Sequence, residues 1–171
     1  MIDCPTQPME DGSYLQLKKP CITSVSGVLA NDFQNLFNIQ KCSFEQVDDF
    51  KTATWKKLLE SSAIGAITCL TGETCRIFQK KENRDWYQNL LEEGIKVAKA
   101  DDAIIPNDFV NVLLQKLNSY PDDKGSSMLT DRILGRPIEL GAKNGAIVKK
   151  GKQYKIETPM NKEIVKMIHD L

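Results

Sequence analysis

A chain of 171 residues has room for one domain with a real core, or for one domain and a piece of another. With 41% hydrophobic and 27% charged residues it has the composition of an ordinary globular protein, which excludes a disordered chain. Lysine plus arginine and aspartate plus glutamate both number 23, so there is no surplus of positive charge to draw in nucleic acid or anionic lipid, and neither is expected as a partner.

Residues 1–13 carry Pro, Asp and Gly without periodicity and read as a loose N-terminus, with acids where a signal peptide needs a basic start and an apolar run. From Tyr14 the pattern changes. The stretches YLQLKKP and CITSVSG cluster β-formers up to Pro20 and Gly27 and read as short strands. Leu29, Phe33, Leu36 and Phe37 then recur at helical spacing, and IQKCSF reads as another strand. Residues 14–47 therefore form a small β-β-α-β piece, too short to bury a core alone.

Residues 48–171 read as helical throughout, an all-α bundle of about six helices. Ala53, Leu58, Leu59, Ile64 and Ile67 give a first long apolar face. A second helix follows Asn83, with Trp86, Leu90, Leu91, Ile95 and Ala98 on one side. A third starts at Pro106-Asn107, buries Val110, Leu113, Leu114 and Leu117, and ends at Tyr120-Pro121. Ser126 and Ser127 open a fourth, which Gly135 stops and Pro137 keeps from resuming. Glu139 opens the next, and Thr158-Pro159 begins a last one with Ile164, Val165 and Ile168 inward.

Five widely spaced cysteines with no C-x-x-C pair argue against a disulfide framework and against zinc, and they read as reduced thiols in a cytoplasmic protein. His169 is the only histidine, so neither a histidine-based triad nor a metal site is expected. The longest apolar stretch, residues 63–70, is far short of the roughly 20 residues that cross a bilayer. No glycine-rich phosphate-binding turn follows a strand. Lys57, Ser61 and Gly65 recur every four residues and so share one helix face, a lysine above a row of small residues. Each candidate also has a purely structural account: Lys57 as a solvated surface lysine, the serine pair as a helix cap, and Glu139 as a complement to a helix dipole.

Four stretches in series point further. Trp55-Lys56-Lys57-Leu58, the SSMLTD run at Ser126 to Asp131, GRPIEL at Gly135 to Leu140 with Asn144-Gly145, and Thr158-Pro159-Met160-Asn161 together resemble the C-terminal helical domain of ketopantoate reductases (2-dehydropantoate 2-reductases). The resemblance implies a mainly α fold, a helical bundle similar to the C-terminal domain of 6-phosphogluconate dehydrogenase, preceded by a small α/β remnant of a dinucleotide-binding domain, as in a C-terminal fragment. It further implies an oxidoreductase of pantothenate biosynthesis that uses NADPH, bound mainly by an N-terminal domain outside this chain, and takes a small 2-keto acid, with a homodimer through the helical domain.

By the same resemblance Lys57 matches the catalytic lysine, Glu139 the acidic residue that binds substrate and lysine, and Ser127 the serine near the substrate carboxylate. Ser61 and Gly65 stand where the family's ketopantoate reducers keep asparagines, which implies a substrate lacking ketopantoate's hydroxyl, with space over Gly65 for a bulkier tail. The chain by itself is expected to be inactive, for want of the cofactor fingerprint. The rival expectation is a non-catalytic helical module that serves only to associate.

Overall fold

Eight consecutive residues, Ser62 to Cys69, are buried, and they form the middle of helix α2 (Phe50–Thr71). A helix covered on every side is central to its bundle, so the single apolar face expected from Ala53 to Ile67 is too narrow a reading. The polar positions conceal this in the sequence. Ser62 and Thr68 bury their hydroxyls by donating to the carbonyls of Leu59 and Ile64, one turn earlier, at 3.2 and 2.8 Å.

The computed structural model describes residues 2–3, 6–9, 11–16, 21–28, 30–35 and 42–171, and the chain divides into two compact units, Met1–Thr54 and Trp55–Leu171. In the first unit β4 (Cys21–Val25) and β5 (Cys42–Gln46) pair in parallel, Cys21 opposite Cys42 and Val25 opposite Gln46, with α1 (Ala30–Asn35) in the crossover. The first thirteen residues are not wholly loose. Strand β1 (Ile2–Asp3) pairs antiparallel with β4, and β2 (Thr6–Pro8) forms a hairpin with β3 (Tyr14–Gln16), turned by Gly12 at φ 81°. Strand β3 thus belongs to a separate two-stranded sheet. Of the residues expected on the first helical face, Leu29, Leu36 and Phe37 lie outside the described residues, as does the side chain of Phe33. Residues 39–41 of the expected strand are outside them too.

The second unit is helical. A 3-10 turn at Cys75–Gln79 follows α2, and then come α3 (Lys81–Ala100), α4 (Phe109–Leu117), α5 (Ser127–Ile133), α6 (Asn144–Tyr154) and α7 (Pro159–His169). Helix α3 packs against α4, α6 and α7 through Tyr87, Leu90, Leu91, Gly94, Val97 and Ala98, spaced by threes and fours. Trp86, expected on the inward face, is exposed at the edge of this stripe, and Tyr87 beside it is fully buried. In α4, Leu113 and Leu117 are buried while Val110 and Leu114 are partly so, and Val165 of α7 is likewise half-buried. Among the described residues no helix is long and apolar enough to cross a membrane.

Two helix ends show the local chemistry. Gly135 adopts φ 62°, its N–H donates to Arg132 at 3.2 Å, and the N–H of Arg136 reaches back to Asp131 at 2.8 Å, a Schellman closure of α5. Glu139, however, does not open α6. The helix begins five residues later at Asn144, because the Leu140 carbonyl turns back to accept from Lys143 at 3.2 Å and from Gly145 at 2.9 Å. The close return needs Gly145, where an added Cβ would lie 3.1 Å from that oxygen.

Candidate active site

Helix α5 lies along α2, held at three levels. Met128, fully buried, sits over Gly65. Above it Ser126 caps α5 by accepting from the Leu129 N–H at 3.1 Å, and its oxygen is 2.7 Å from the Thr68 hydroxyl. At the far end Arg132 donates to the carbonyls of Cys69 and Leu70, two of the orphan acceptors at the end of α2. The cap is therefore Ser126, which leaves Ser127 exposed at the first position of α5.

The Ser127 hydroxyl accepts from the ammonium of Lys143, at 3.1 Å. Burial pushes the Lys143 ammonium below its ordinary pKa, against the pull of Glu139, and the like charge of Lys57 pushes it the same way. Lys143 thus brings three expected residues into one neighbourhood: Ser127 by a hydrogen bond, Glu139 and Lys57 by their fields. Lys57 itself is half-buried on α2. Ser61, one turn on, donates to the Leu58 carbonyl of its own helix at 3.3 Å. Gly65 stands apart, because the space expected above it is filled by Met128.

A second group borders the first. The Glu60 carboxylate accepts from the Tyr120 hydroxyl at 2.5 Å and pairs with Lys116 at 2.6 Å, while the Lys124 ammonium lies 3.0 Å from the centre of the Tyr120 ring. Burial lowers the pKa of Lys124 as well, and Lys116 and Lys57 add to the effect. Sequence reasoning missed Lys143, Lys124 and Glu60. Glu60 carried a signal, three residues from Lys57 and so one turn along the same helix, but neither lysine had one.

Two buried networks account for other parts of the motifs. The Trp55 indole donates to Asp101 at 2.8 Å, and Lys150 and Tyr154 of α6 donate to the other carboxylate oxygen. Burial pushes the Asp101 carboxyl up, but the bonds from Tyr154, Lys150 and Trp55 and the Lys150 charge outweigh it and hold the pKa at about 2. Thr158 makes no side-chain cap for α7. Glu93 of α3 replaces it, accepting from the N–H groups of Met160 and Asn161 at 2.8 and 2.9 Å and from the Asn161 side chain at 2.9 Å. Asn161 in turn accepts from Asn144 at 3.0 Å, both being fully buried.

The chain has known relatives. The family described as "Ketopantoate reductase PanE/ApbA C terminal" matches residues 49–171. The chain belongs to that ketopantoate reductase C-terminal family. A 2-dehydropantoate 2-reductase of Mycobacterium tuberculosis (strain CDC 1551 / Oshkosh) is 30% identical over 143 residues, 84% of this chain and 48% of the relative. The chain thus spans about half the length of that curated ketopantoate reductase. In fold it is similar to a dimeric ketopantoate reductase from Staphylococcus aureus, with TM-score 0.88 and 23% identity over 98% of this chain and 58% of the other. It is also similar in fold to D-mandelate dehydrogenase in complex with NADH, with TM-score 0.86 and 15% identity over 99% and 60%. The mainly α bundle with its small sheet is the fold expected of the ketopantoate reductase family.

Proposed function

We propose that this chain supplies the substrate-binding and catalytic helices of an NADPH-dependent 2-keto acid reductase. The supporting observation is the gathering of Lys57, Ser127 and Glu139 around Lys143 in a member of the ketopantoate reductase family. The nicotinamide dinucleotide, when bound, supplies a hydride to the keto carbon. The described residues do not fit its phosphates: the one turn between a parallel strand and its crossover helix, after β4, has the single glycine Gly27 and an open surface around it. Cofactor binding is therefore assigned to none of the residues named here, and turnover requires a dinucleotide-binding half besides these helices.

In this reading the Lys57 ammonium donates a hydrogen bond to the keto oxygen, stabilises the negative charge that develops there, and transfers its proton, leaving a neutral amine and a hydroxy acid. Glu139 holds the lysine and the substrate in register, and the Ser127 hydroxyl donates to the carboxylate. Ser61 replaces an amide that would bind ketopantoate's hydroxyl, so the favoured substrate is a 2-keto acid without that group. D-mandelate dehydrogenase, similar in fold, shows the same architecture in an enzyme named for a different acid. A cytoplasmic location and a homodimer through the helices complete the proposal, the last supported by the dimeric enzyme from Staphylococcus aureus.

The test is the reduction rate of an enzyme in which this chain is joined to a dinucleotide-binding half. Lys57→Ala should lower kcat by about 10²–10⁴-fold with cofactor affinity nearly unchanged. Lys56→Ala, turned about 100° away on the helix, should be tolerated. Undiminished turnover in Lys57→Ala removes the catalytic role.

A further inference from the structure

The Lys143 ammonium has three N–H groups and no acceptor, and one of these groups is spent on Ser127. Among the described residues it forms no ion pair, although Glu139 and Asp131 lie close enough for their charges to act on it. The Ser127 hydroxyl is the complementary case. With one lone pair taken by an ammonium its hydrogen must point elsewhere, and no acceptor among the described residues takes it. Unfilled donors thus remain on two heavy atoms 3.1 Å apart, at the start of α5 and just before α6. That spacing suits the two oxygens of a single carboxylate.

We infer that Lys143 is a carboxylate-binding residue, which clamps the acid end of the substrate jointly with Ser127 and fixes the serine hydroxyl as the donor. The inference rests on the reading of this site as one for 2-keto acids. It separates two tasks between two ammonium groups: Lys57 on α2 serves the keto oxygen, and Lys143 serves the carboxylate. It also gives a reason for two like charges to approach each other, since an anion bound beside both relieves their repulsion. The consequence is selectivity for a free acid over a neutral derivative of the same shape, because an unpaired ammonium is costly to leave facing an uncharged group.

The experiment is calorimetry on the 171-residue chain with two probes, 2-oxoisovalerate and its carboxamide. The chain should bind the acid about 10–100-fold more tightly than the amide, the usual worth of a charge-assisted bond. Lys143→Met should abolish that preference, weakening the acid and sparing the amide, whereas Lys143→Arg should keep most of it, a rescue that a packing role does not predict. If Lys143→Met fails to fold, the parent decides the matter through carbon-13 labelled lysines: the acid should raise the Lys143 pKa. Equal binding of acid and amide by the parent, an undiminished preference in Lys143→Met, or an unmoved Lys143 pKa overturns the inference. The readout is binding rather than turnover, so a chain that clamps the acid through Lys143 while Lys57→Ala leaves turnover intact would sink the reductase mechanism alone.

Discussion

A Cβ placed on Gly65 would lie 2.7 Å from the sulfur of Met128, so α2 and α5 touch where the sequence suggested an open substrate pocket. Met128 is fully buried and has no solvent to retreat into. Gly65→Asn should therefore destabilise the chain by about 1–3 kcal/mol through overpacking, and should not restore any preference for ketopantoate. Urea denaturation measures the loss. In a double-mutant cycle Met128→Ala should recover part of it, and strict additivity of the two substitutions would show that they do not meet.

Ser61 is then the one position on this face where an amide can return. Ser61→Asn alone should raise kcat/KM for ketopantoate relative to 2-oxoisovalerate, by about 10-fold or more if the amide reaches the substrate hydroxyl. The ratio is read in the enzyme that joins this chain to a dinucleotide-binding half. An unchanged ratio assigns the hydroxyl contact to another residue.

Asp101 ties Trp55, two residues before Lys57, to Lys150 and Tyr154 of α6. Its pKa falls on folding from 3.8 to about 2, so between those values the unfolded chain binds more protons than the folded one. The stabilisation is thus complete above the unfolded value and is lost as pH drops through the folded one. Asp101→Asn should cost about 1–3 kcal/mol at pH 6, and the gap between parent and variant should close as pH falls from about 4 to about 2. A gap that does not change with pH would mean that the carboxylate charge is not what holds the network.

Glu93 replaces the cap that Thr158 does not make. Glu93→Ala should leave the first N–H groups of α7 without acceptors in a buried setting and cost about 1–3 kcal/mol. Hydrogen exchange at Met160 and Asn161 should quicken well before global unfolding. Exchange at the parent rate would place the cap elsewhere.

The sequence by itself determined the helical class, the stops at Gly135 and Pro137, the start of α7 at Pro159, and the four motifs that mark the family. Periodicity, a left-handed glycine and a proline at the first helical turn are decided by neighbours within one or two turns, and that information is present in any local window. It placed Lys57, Ser127 and Glu139 as candidates, but assigned Glu139 to a helix start that belongs to Asn144. Only the tertiary structure decided that Met128 covers Gly65, that Glu93 caps a helix 68 residues further on, and that Lys143 reaches Ser127 across 16 residues. These contacts depend on which helices lie side by side, which is set by burial summed over the whole core and leaves no mark at the positions that meet.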